Sequence, residues 1–105
     1  MNKFIELLMV ITLNKFGRIL TSREIGREAF AAFKSTLATL NDSETLEVDF
    51  SGVTTLSPSW ADEFVGVLLV SYSDRLILKN TSNPSVKITL ELIEKIHQLK
   101  FNITS

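Results

Sequence analysis

A proline between two serines, Ser57-Pro58-Ser59, joins a β-prone run to a helical one, and the rest of the chain has to be arranged around that junction. Before it, Thr45 to Phe50 alternates: Leu46, Val48 and Phe50 point one way and Thr45, Glu47 and Asp49 the other, as in a strand with one buried face. Gly52 supplies the turn. Ser57 or Ser59 then caps a helix whose first turn accepts Pro58, because the first helical amides have no partner to lose. Asp62 and Glu63 fall in the opening turns, where negative charge suits the helix dipole. The spacing predicts this central helix over about Pro58–Ser73, with Trp60, Phe64, Val67, Leu68 and Tyr72 turned inward. Ser59, Asp62, Glu63, Gly66 and Ser73 turn outward.

The other elements follow the same alternation. Phe4 to Leu13 is almost continuously apolar, which predicts a strand covered on both faces. Asn14 to Gly17 breaks it, and Arg18 to Leu20 reads as a short extended return. Thr21-Ser22-Arg23-Glu24 has capping-box spacing, with Thr21 as cap and Glu24 reaching back. The helix it opens runs to about Leu40 and would face the sheet with Ile25, Ala29, Phe33, Thr36 or Leu37, and Leu40. Gly26 inside it costs roughly 1 kcal/mol relative to Ala, so it signals either close packing or tolerance. Arg75 to Asn80 predicts a short buried strand. Asn83-Pro84 repeats the cap-plus-proline start of a helix to about Gln98, with Val86, Leu90, Ile93 and Ile96 inward and Lys87, Glu91, Glu94, Lys95 and Gln98 outward. Phe101 to Thr104 reads as a last edge strand. The class is therefore α/β, with a four- or five-stranded mixed or mostly parallel sheet and about three helices.

Composition narrows the function classes. A chain of 105 residues suits one domain. Eleven basic against twelve acidic residues give no global field for nucleic acid or an anionic membrane. Cysteine is absent, so disulfides, thiolate metal sites and cysteine nucleophiles are excluded together. Glu6 interrupts the first apolar run and no run approaches the ~18 residues of a membrane span. The expectation is a cytoplasmic protein. The four glycines are scattered and form no phosphate loop, and His97, the one histidine, has no second ligand beside it; neither a metal nor a catalytic role is expected of it.

The run Asp49-Phe-Ser-Gly-Val-Thr-Thr-Leu-Ser57-Pro-Ser59-Trp-Ala-Asp62-Glu63-Phe resembles the strand–turn–helix of STAS domains, the fold of bacterial anti-sigma-factor antagonists. It is closer still to the STAS-like family of unknown function, whose version carries Ser-Pro-Ser-Phe-Ala-Asp-Glu and a Ser-Arg helix start, matched here by Ser22-Arg23. Against the antagonists, Ser57 stands where they have Asp, Pro58 where they have the phosphorylated serine, and Trp60 where they have Gly. The usual phosphorylation position is thus lost, while Ser59 matches their second serine. What the resemblance implies is docking of the central helix's start onto a protein partner, a histidine-kinase-like ATPase being the class it suggests.

Each candidate residue also has a bland role. Ser57 and Ser59 act as caps; in the sharper reading Ser59, or failing that Ser57, accepts a phosphate. Asp62 and Glu63 are consecutive, diverge by about 100° on a helix and cannot form a facing dyad. One of them is instead expected to pair with Arg23, tying two helix starts into one surface. Trp60 serves as a core lid or an interface anchor. The expectation is a non-enzymatic, cofactor-free docking module whose partner surface comprises Ser57, Ser59, Trp60, Asp62, Glu63 and Arg23. Its rivals are an anion or nucleotide sensor at the same helix end and a homo-oligomer joined through apolar edge-strand residues.

Overall fold

The computed structural model describes residues 8–104. The expected start of the first strand, at Phe4, lies outside them. The elements are β1 (Leu8–Thr12), β2 (Ile19–Leu20), α1 (Arg23–Leu37), β3 (Thr45–Asp49), β4 (Thr55–Leu56), α2 (Pro58–Glu63), α3 (Val65–Tyr72), β5 (Leu76–Lys79), α4 (Pro84–His97) and β6 (Asn102–Thr104). Short 3-10 turns follow β1 and α3. Four strands form one sheet in the order β1-β3-β5-β6, with every pairing parallel; β2 and β4 form a second, two-stranded parallel pair.

The strand order explains the layering. It runs in one direction, and parallel crossovers are right-handed, so successive helices come down on the same face. Register places Ile11, Val48, Leu78 and Ile103 in one row beneath them, with Met9, Leu46 and Leu76 in the next. Leu46, Val48, Leu76 and Leu78 are fully buried. The opposite face carries Val10, Glu47, Ile77 and Asn102 in one row and Thr12, Asp49, Lys79 and Thr104 in the next, and none of these is buried. Lys79 Nζ approaches Glu47 Oε1 at 3.8 Å across that face. The expectation that the first strand is covered on both sides fails over the described part of it: Leu8 and Val10 are 49% and 50% exposed. Continuous apolar sequence reported a β-prone edge strand, not double cover.

The central helix is not continuous. Phe64, at φ −120° and ψ −71°, separates α2 from α3, and its N–H turns to the Ala61 carbonyl three residues back. The break seats Phe64 in an aromatic cluster. It stacks on Trp60 with centroids 5.1 Å apart and meets Phe16 at 5.2 Å, Phe30 edge-on at 5.6 Å and Phe33 at 6.0 Å. Trp60, Phe64, Leu68 and Leu69 are buried as the core of this layer.

Two helix faces differ from expectation at one position each. On α1 the buried residues are Gly26, Ala29, Phe33 and Leu37, while Ile25 is exposed. A β-carbon on Gly26 would lie 2.9 Å from the Trp60 carbonyl oxygen, so α1 rolls to set its glycine, not Ile25, against α2. On α4 the inward set is Val86, Thr89, Leu90 and Ile93, and Ile96 points out. Ser22, not Thr21, caps α1 by accepting the Ile25 N–H at 3.2 Å. No helix among the described residues is long and apolar enough to cross a membrane.

Candidate functional site

The small β2–β4 pair positions the site. Each of its strands runs into a helix start, β2 into α1 and β4 into α2, and their parallel register, Ile19 to Thr55 and Leu20 to Leu56, lays the two junctions side by side. The Leu20 carbonyl accepts the Ser57 N–H at 2.9 Å. Ser57 Oγ donates to the Thr21 carbonyl at 2.7 Å and accepts the Trp60 N–H at 3.1 Å, capping α2 while stitching it to α1. A cap of this kind is worth about 1 kcal/mol.

Arg23, at the start of α1, then meets Asp62 and Glu63, which lie in the last turn of the short α2 and not in an opening turn as expected, because the break at Phe64 ends that helix at Glu63. Arg23 Nη1 lies 2.7 Å from Glu63 Oε2 and 3.1 Å from Asp62 Oδ2. Both acids therefore reach Arg23, where one was expected; they are splayed apart on α2 and joined only through the guanidinium between them. Arg27, one turn along α1, reaches Glu63 Oε1 at 3.3 Å. Asp62 Oδ1 lies 3.3 Å from His97 Nε2, which brings the end of α4 into the same cluster. Gly66 makes room for that contact: a β-carbon there would lie 3.1 Å from His97 Nε2. Gly66 is buried beneath the imidazole, which interrupts the outward stripe expected of the central helix between Glu63 and the exposed Ser73. Arg27 and His97 escaped sequence reasoning. Arg27 carried a signal, lying one turn from Arg23 on the same helix, whereas His97 is 35 residues from Asp62 and carried none.

The acids are only partly exposed, at 30% for Asp62 and 21% for Glu63, but Arg23 is 47% exposed, so solvent screens these pairs and they act more to orient the side chains than to stabilise the fold. Hydrogen bonds from Arg23 first, then Arg27, hold the Glu63 carboxyl below its usual range. A depressed carboxyl pKa stabilises the fold above the range where an unfolded glutamate ionises, and that contribution is lost as pH falls through the lower folded value. In an NMR titration the Glu63 midpoint should lie below the usual glutamate range, and Arg23→Ala should move it upward. A midpoint indifferent to Arg23 would show that the pairing is not formed in solution.

Trp60 does not belong to this surface. It is 0% exposed, packed under Gly26 and against Phe64, and cannot touch a partner in this structure. Its conversion from candidate anchor to core residue follows from the α1–α2 approach. Ser59 remains half-exposed at the rim and, unlike Ser57, makes no side-chain hydrogen bond to the described residues. A second polar cluster braces the turn behind the site: Asp49 Oδ1 accepts from Asn80 Nδ2 at 2.8 Å and from the Ser51 N–H at 2.9 Å. These bonds, the Asn80 one foremost, hold the Asp49 carboxyl below its usual range. No group of three or more potential metal ligands occurs among the described residues.

A family model described as a STAS-like domain of unknown function matches residues 32–86. That span takes in β3, β4, α2, α3 and β5, and with them Ser57, Ser59, Asp62 and Glu63; Arg23 and His97 fall outside it. No curated protein and no solved structure matches the chain.

Proposed function

The chain belongs to the family of STAS-like domains of unknown function, and from that premise we propose that it is a non-enzymatic regulatory docking module whose partner surface is the rim formed by the start of α1 and the short helix α2. The observation that carries this reading is the assembled rim itself. Arg23 at the start of α1 is locked at the surface to Asp62 and Glu63 in the last turn of α2, two helices that a pair of short strands holds in register, with the half-buried Ser59 on the same short helix. The partner class is a cytoplasmic protein of the histidine-kinase-like ATPase type, and Ser59 is the hydroxyl available for modification, because Ser57 is engaged both as donor and as acceptor. The acids are already paired with arginine, so the rim offers shape and directed hydrogen bonds more than a free negative field. Anion capture at the same end is less favoured: α2 has six residues, Pro58 has no N–H, and the Trp60 and Ala61 amides are spent on Ser57.

Ser59→Arg tests the proposal without breaking a described contact. Used as bait in a lysate of the source organism, the wild-type chain should retain an ATPase of this class and Ser59→Arg should lose it by about tenfold or more, with an unchanged melting temperature. Equal retention by both baits would overturn the assignment of the rim.

A further inference from the structure

We infer that α4 is the interface of a symmetric homodimer, in which the outward ridge of Ile88, Leu92 and Ile96 packs antiparallel against the same ridge of a second copy. These residues are 66%, 39% and 56% exposed, and Leu99, just past the helix end, continues the line at 38%. Ile88, Leu92 and Ile96 recur every fourth residue along a stripe that starts on the outer side of α4 at Ile88 and slants toward the edge of the buried face at Ile96, and all three are exposed where an ordinary surface helix carries polar residues. A shallow groove bordered by Ile88, Leu92, Lys95, Leu99 and Lys100 runs beside the ridge and gives the opposing side chains somewhere to seat.

The charge pattern selects the occupant. Glu91 and Lys95 flank the ridge one turn apart and are both exposed. A two-fold axis crossing the ridge near Leu92 reverses the order of residues along the second helix. Ile88 then meets the partner's Ile96, Leu92 meets its own equivalent, and Glu91 stands beside the partner's Lys95, with the reciprocal pair formed by symmetry. A surface that is self-complementary in both apolar and charged residues fits a second copy of itself. His97 lies nine positions after Ile88, half a turn round the helix, so this contact leaves the Asp62–Arg23 rim uncovered. The inference is independent of the docking proposal and fails separately from it.

Sedimentation velocity over a concentration series decides it. The wild-type chain should dimerise; Leu92→Glu should raise the dissociation constant by about 100-fold or more, and Glu91→Lys by about tenfold. The double variant Glu91→Lys/Lys95→Glu should return to within about threefold of wild type, because the charge pair is rebuilt in reverse. All of these positions are exposed, and circular dichroism should confirm that the variants keep their fold. A wild-type monomer at about 100 µM overturns the inference. So does a double variant no tighter than Glu91→Lys alone, or a dimer abolished by Val10→Glu on the open sheet face yet indifferent to Leu92→Glu.

Discussion

Trp60→Ala should lower stability by about 3–5 kcal/mol, the usual range for deleting a large aromatic side chain from a core. Trp60 is fully buried, stacks on Phe64 at 5.1 Å and lies 6.1 Å from Phe16, so its removal opens a cavity where α1, α2 and the turn after β1 meet. For a domain of this size each kcal/mol moves the melting midpoint by roughly 4–8 °C, and the loss should therefore exceed about 10 °C. Trp60→Phe should be far milder, within about 2 kcal/mol. The indole Nε1 is buried without a hydrogen-bond partner among the described residues, and discarding an unsatisfied donor offsets part of the lost packing. Urea denaturation of the two variants checks the pair. Equal costs would mean that the N–H is satisfied in solution; a Trp60→Ala cost below about 1.5 kcal/mol would mean that the aromatic cluster is not the keystone of this layer.

Gly26→Ala should also destabilise, against the propensity rule. Alanine is ordinarily better than glycine inside a helix by about 1 kcal/mol. Here the added carbon would meet the Trp60 carbonyl oxygen at 2.9 Å and its Cα at 3.1 Å, and backbone cannot swing aside as a flexible side chain would. Overpacking of about 1–3 kcal/mol therefore outweighs the gain in propensity. Because Gly26 lies between Arg23 and Arg27 on α1, pushing the helices apart also lengthens the contacts of both arginines with Glu63. The variant should show a Glu63 titration midpoint shifted upward along with its lower denaturation midpoint. An alanine variant more stable than wild type would show that the two backbones are not in contact at this point.

Much of this architecture was legible in the chain, and the reasons are specific. The Ser57 cap with Pro58 behind it, and the matching Asn83-Pro84, mark helix starts because few other residues satisfy those geometries. The pairing of Arg23 with the acids was legible because the motif set the acids within two turns of one helix cap and Arg23 directly after another. What periodicity could not resolve was rotation. Ile25 and Ile96 lie within a few tens of degrees of a buried face, and only the close approach at Gly26 and the packing of Ile93 decide which way each helix rolls. Thr21 and Ser22 are equally good caps one residue apart, and the β2–β4 register settled the choice by committing the Thr21 carbonyl to Ser57. The break at Phe64 has no proline or glycine at the break to announce it; it arises from rings contributed by α1 and by the turn after β1. From the sequence Trp60 suits either a lid or an anchor, because burial is a property of the neighbours as much as of the residue.

A sheet whose strands are laid down in one unreversed sequence has a bearing on how the molecule forms and frays. Each new strand pairs with the main-sheet strand before it in the chain, so assembly can proceed as a ribosome delivers it, every addition resting on a surface already built. The strand Asn102–Thr104 has three residues, all exposed, and is paired along one side only. Amide exchange should accordingly be fast at that margin and slowest in β3 and β5, each of which has a paired neighbour on either side.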